Sequence, residues 1–130
     1  EHIKDDGKAL RNMNLLLKKG GKVILLVPAK KYAFTKLDKE LGHYRRYEKS
    51  ELINKLNKAG FVVENVTFLN SVGLLSWFMR DKFRKGNIKF KPYQIRIFDF
   101  IVPFLRFAES FIKIPMGISL VVVATKTKKQ

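Results

Sequence analysis

The sequence has 130 residues, 46% of them hydrophobic, which suits one small globular domain with its own core and is too apolar for a disordered tail. Cysteine is absent, which excludes disulfides, thiolate metal centres and cysteine nucleophiles, and fits a reducing, cytoplasmic compartment. The 27 basic and 11 acidic residues leave a net charge of +16, a field that attracts anions of any kind, yet the lysines are scattered as on a solvated surface, with dense clusters only at Lys18-Lys19, Lys30-Lys31, Arg45-Arg46 and the tail Lys126, Lys128, Lys129.

In chain order, Asp5 and Asp6 suit a helix start, and Ala9, Leu10, Met13, Leu16 and Leu17 follow at the spacing of one buried stripe. Lys18, Lys19, Gly20 and Gly21 close that helix, since basic residues complement its C-terminal dipole and glycine accepts a left-handed cap. The run Val23-Ile24-Leu25-Leu26-Val27 between Gly21 and Pro28 predicts a strand buried on both faces. Residues 29–47 form a long, polar and aromatic-rich connection, a length that points to function. A second helix is predicted over 48–59 with Leu52, Ile53 and Leu56 inward, capped by Glu48 or starting later at Ser50 and ended by Gly60. A strand follows from Phe61 through Val66. Residues 72–84 read as a third helix or lid, and 94–113 as a Phe- and Ile-rich helical stretch broken or kinked at Pro103. Residues 118–125 form a last buried strand and 126–130 a basic, frayed tail. Helices alternating with strands predict an open α/β sheet.

The chain opens on Glu1 with no basic-then-apolar leader, so it is expected to lack a signal peptide and to begin inside a longer polypeptide. Its longest uncharged stretch, 65–79, is interrupted by polar residues and falls short of the roughly 18–20 residues of a membrane span.

Several segments carry a family resemblance. Glu1-His2-Ile3 resembles the end of the "LEHI" segment that closes the fourth strand of many class I S-adenosylmethionine-dependent methyltransferases. Lys18-Lys19-Gly20-Gly21-Lys22 is similar to their "LKPGG" turn, with Lys19 where proline is usual. Lys58-Ala59-Gly60-Phe61 resembles their "KAGF" turn, and His43-Tyr44-Arg45-Arg46-Tyr47 is similar to an "H-x-R-R-Y" segment of the type 11/12 subgroup. The resemblance implies the C-terminal half of a Rossmann-like methyltransferase sheet. Its three strands would correspond to the fifth, sixth and seventh, with the last antiparallel and central, flanked by helices. Residues 72–115 would be a helical lid insertion in one partial domain spanning 1–130. The glycine-rich loop and the acidic residue that hold most of S-adenosylmethionine in the family do not occur here. Gly20-Gly21 end a helix and do not open one onto a ligand. The resemblance therefore implies weak or no cofactor binding by these residues alone.

Methyl transfer needs mainly the alignment of donor and acceptor, with a general base for a hydroxyl or phenol. The resemblance puts Glu1 and His2 at the carboxyl end of a strand, beside the cofactor, with His2 also a candidate base. The alternative is that His2 is a terminal residue with no role. His43 could assist deprotonation, and Tyr44, Arg45 and Arg46 could hold an acceptor, Arg45 or Arg46 through its planar fork. The alternative is that these residues pin the loop and cap the following helix, a role that suits Tyr47 best. Trp77 and the Phe-rich stretch suit a lid over an apolar acceptor, or simply a buried helix. No metal site is expected, because His2 and His43 lie far apart in sequence without a carboxylate cluster.

Three functions stand against one another: a fragment of a methyltransferase for a small or lipid-like acceptor; a basic module contacting nucleic acid or an anionic membrane; and an interaction partner alone. Nucleic acid is disfavoured, since no recognised motif or stacking platform is present. The strand at 23–27 is expected to leave an open edge that pairs with a second copy or with an N-terminal partner.

Overall fold

The computed structural model describes residues 1–70, residues 117–127, and Tyr93, Arg96, Phe100, Ile101, Pro103, Phe104 and Phe107. Helix α1 (Asp6–Leu16) leads into strand β1 (Lys22–Pro28), a 3-10 turn (Lys31–Ala33), short helix α2 (Lys36–Glu40), helix α3 (Lys49–Lys58) and strands β2 (Phe61–Leu69) and β3 (Ser119–Lys126). The predicted helix at 72–84, including Trp77, lies outside the described residues. Of the stretch 94–113, the residues described are helical.

Helix α1 starts where the sequence indicates: the Asp5 carboxylate accepts the Lys8 amide at 2.8 Å. Leu10 is buried, and Met13 and Leu17 pack against the core. Leu16 does not join them and is 88% exposed. At 3.6 residues per turn it sits roughly 120° around the helix from Leu10. The inward position passes to Leu17, where the backbone has already become extended. Glu48 is the N-cap residue of α3, but its carboxylate accepts the Lys31 amide and caps no amide of its own helix.

The sheet has the order β1-β3-β2, and β3 is antiparallel to both neighbours. β1 and β2 therefore run parallel to each other without touching. Register pairs Leu25 with Val122 and Val66 with Val122, so one face collects Val23, Leu25 and Val27 with Leu120, Val122, Ala124, Phe61, Val63, Val66 and Phe68. Both α1 and α3 pack on that face, Leu52 and Leu56 of α3 being buried there. Each such side chain contributes about 1.5–3 kcal/mol on full burial.

The opposite face departs from the expectation of a doubly buried strand. Ile24 and Leu26 stand 70% and 63% exposed, and Val62 is 55% exposed. Both helices lie on the other side, so an apolar run that reads as buried twice is covered once among the described residues. At Glu64 a bulge between Val63 and Asn65 interrupts the β2–β3 register. Its carboxylate bonds Lys22 Nζ at 2.7 Å and accepts from the Thr125 hydroxyl, tying all three strands.

The turn at Gly60 joins the layers. With φ at +86° it adopts a left-handed conformation natural only to glycine. Its carbonyl accepts from Asn14 Nδ2 at 2.9 Å, the Thr127 amide at 3.1 Å and the Thr127 hydroxyl at 3.0 Å. Order thus continues through Lys126 and Thr127, into the stretch expected to fray. Among the described residues, no helix is long and apolar enough to cross a membrane.

Candidate functional site

At the carboxyl end of β1 the connection 29–47 folds back on the strand. Tyr47 N–H donates to Pro28 O at 2.9 Å, Lys30 N–H donates to Tyr47 O at 3.0 Å, and Ala29 bridges Tyr47 in parallel. This fixes the segment 43–47 beside the strand end, where open α/β sheets bind ligands. The N-terminal residues lie against it, because the Tyr44 amide donates to Glu1 O at 2.8 Å.

Two buried or half-buried carboxylates organise the site. Asp38, in the first turn of α2, is 2% exposed. Its Oδ2 accepts the Thr35 amide at 2.8 Å and the Thr35 hydroxyl at 3.1 Å. Its Oδ1 accepts from Arg46 Nε at 2.9 Å and lies 3.0 Å from His43 Nδ1. Burial alone would raise its pKa, but the Thr35 amide, Arg46 and His43 together hold it below the ordinary carboxylate range. A carboxylate can only accept, so in its hydrogen bond with Asp38 the His43 ring donates from Nδ1.

Asp6, at the start of α1, is the second carboxylate. Its Oδ2 meets Arg45 Nη1 at 2.8 Å, the Tyr47 hydroxyl at 2.9 Å and Lys55 Nζ. Desolvation opposes its charge, but Lys55, Arg45 and Tyr47 outweigh it and hold the carboxyl far below its usual value. Burial, then the Asp6 carboxylate, push the Tyr47 phenol well above its usual value. Arg45 also donates to Lys4 O.

The fold brings together most of the residues the sequence singled out. His2 and His43, 41 positions apart, have ring centroids 4.7 Å apart at 78°. Glu1 Oε1 lies 3.8 Å from His2 Nε2. Tyr44 is 55% exposed beside them. Both arginine forks are turned onto carboxylates, Arg45 on Asp6 and Arg46 on Asp38. Tyr47 is buried and pins the loop, as its sequence context suggests. Trp77 lies outside the described residues. Sequence reasoning missed Asp38 as the centre of the site, although Thr35-Lys36-Leu37-Asp38 has the spacing of a helix capping box. Lys55 had no such local signal.

No protein-family model and no curated protein matches the sequence. The solved structures it is similar to include a candidate methyltransferase from Bacillus halodurans C-125, with 20% identity and a TM-score of 0.51, over 98% of this chain. The chain shares the fold of that structure. It spans 60% of the length of that structure. In this chain the mixed α/β arrangement sets strand β3 between β1 and β2, antiparallel to both.

Proposed function

We propose that these residues form the C-terminal part of a class I methyltransferase domain, with β1, β2 and β3 as its fifth, sixth and seventh strands. The observation that carries this reading is the reversed central strand, together with the likeness to a methyltransferase structure along nearly the whole chain. S-adenosylmethionine would supply a methyl group from its sulfonium sulfur, which departs as a neutral thioether. The 130 residues contain no G-x-G-x-G sequence, so they do not fit as a complete cradle for that donor. They furnish the acceptor side, and the donor is held by a further segment paired along the free edge of β1.

On that side the Asp38–His43 pair is a positioned general base. Asp38 orients the imidazole and fixes its tautomer, and Nε2 takes the proton of an acceptor hydroxyl or phenol. Glu1, His2 and Tyr44 border the same space, with His2 a second proton carrier. Arg45 and Arg46 bind acceptor only through whatever donor capacity their carboxylates leave. The acceptor is small or lipid-like, with Trp77 and residues 72–115 as a lid. Phe100, Phe104 and Phe107, one helical face at 73%, 66% and 68% exposure, support an apolar acceptor. The same face, on a chain whose net charge is +16, supports a second reading, peripheral contact of a cytoplasmic protein with anionic lipid.

The test is radiolabelled methyl transfer from S-adenosylmethionine to a panel of phenols, hydroxylated small molecules and lipids. The protein would be residues 1–130 extended by the coding sequence before Glu1. Transfer to one class, reduced about 100-fold or more by His43→Ala, is expected of a general base. Transfer to none, or full activity of His43→Ala, speaks against the reading.

A further inference from the structure

We propose that Glu1, His2 and His43 bind a divalent first-row transition-metal ion of the zinc type. One carboxylate oxygen and one nitrogen from each ring all lie within 4.8 Å of one another. Ligand atoms around zinc at about 2.0–2.2 Å stand roughly 3.2–3.5 Å apart, so the set must contract by about an ångström. The residue that can move is His2, whose side chain is 59% exposed. The residue that should not move is His43, 15% exposed and held at Nδ1 by Asp38.

That hold is the second and stronger reason. An imidazole that ligates a metal through one nitrogen commonly gives its other N–H to a carboxylate, which fixes the ring and raises its basicity. Asp38 is already in that place, 2% exposed and braced by Thr35 and Arg46. A histidine that only fills space needs no such buried carboxylate behind it. Arg45 and Arg46, in the same segment as His43, are each compensated by a carboxylate, which lessens their repulsion of a cation. Backbone bonding also joins the ligand-bearing segments, through the Tyr44 amide on Glu1 O.

Two imidazoles and one carboxylate without a thiolate favour zinc, cobalt, nickel or ferrous iron over magnesium and calcium, which prefer oxygen. Three protein ligands leave at least one position open to water or a substrate oxygen. The inference concerns the cluster alone and competes with the general-base role, since an ion held through the His43 nitrogen away from Asp38 takes the lone pair that role uses.

The experiment is calorimetric titration of residues 1–130 with zinc, followed by cobalt as a visible-absorption probe. Both would be done on protein whose Glu1 amine is acetylated, because a free amine next to His2 is itself a weak chelator. One ion per chain is expected, with a low-coordinate cobalt spectrum and no competition from magnesium. His2→Ala and His43→Ala should each weaken binding at least tenfold, and Asp38→Asn by about 10–100-fold through the His43 ring alone. His2→Ala changes an exposed side chain, so it is informative even if Asp38→Asn fails to fold. Binding that disappears on acetylation, or that survives His2→Ala and His43→Ala unchanged, is an adventitious ion only and overturns the proposal. Because no methyl donor is present, its failure and the failure of the methyltransferase reading are separate results.

Discussion

Replacing Asp38 by alanine removes the one acceptor shared by Thr35, His43 and Arg46. The Arg46 side chain is 10% exposed, so its charge stays largely desolvated with no carboxylate opposite. Breaking a buried pair in this way costs about 3–5 kcal/mol. The total stability of such a domain is about 5–15 kcal/mol, so much of it goes with one side chain. Asp38→Asn keeps the shape and an acceptor for the Thr35 amide and should cost less, about 1–3 kcal/mol. Urea unfolding followed by far-ultraviolet circular dichroism measures both. The double variant Asp38→Asn/Arg46→Met should cost less than the sum of its single variants, because removing both partners leaves no unpaired charge. The pH dependence has a definite sign. Asp38 has a lower pKa folded than unfolded, so its contribution is complete above the ordinary carboxylate value of 3.8 and is lost as pH falls through the folded value. The wild-type advantage over Asp38→Asn should therefore shrink in acid. Costs that add within about 0.3–0.5 kcal/mol would refute the coupled network.

Other perturbations read other parts of the structure. Tyr47→Phe removes a hydrogen bond to the charged Asp6 and should lower stability by about 1.5–3 kcal/mol in the same unfolding assay. Gly60→Ala forces a side chain into a left-handed backbone and against Asn14, at a cost of about 1–2 kcal/mol. Gly117→Ala should be worse, since a Cβ there would collide with the Leu69 backbone carbonyl, and reduced or absent soluble folded protein is the expected readout. Ile24→Lys alters an exposed apolar face beside the β1 edge. Sedimentation velocity should show less self-association, with stability changed by no more than about 0.5 kcal/mol.

The three strands and the helices α1 and α3 were legible because each is signalled locally: Asp5 before α1, the glycine of the 58–61 turn, the β-branched runs. The antiparallel central placement of β3 came from the resemblance, since the residues of a strand do not state its direction. What the sequence concealed is what depends on neighbours. The run 23–27 looks the same whether one face or two are covered, so Ile24 and Leu26 could not be recognised as exposed. Leu16 and Leu17 are both leucines, and only the point at which the helix unwinds decides which turns inward. The connection 29–47 reads as a polar loop, and α2 within it is too short for periodicity to reveal. Asp38 acquires its importance from Arg46 and His43 arriving together. The approach of His2 to His43 is a tertiary contact with no trace in spacing.

S-adenosylhomocysteine binding by titration calorimetry bears most directly on the claim that this fold serves methyl transfer. Residues 1–130 alone should give little heat, whereas the same residues extended by the coding sequence before Glu1 should bind one equivalent. An extended protein that folds, keeps β3 between β1 and β2, and still takes up none of the product would contradict it.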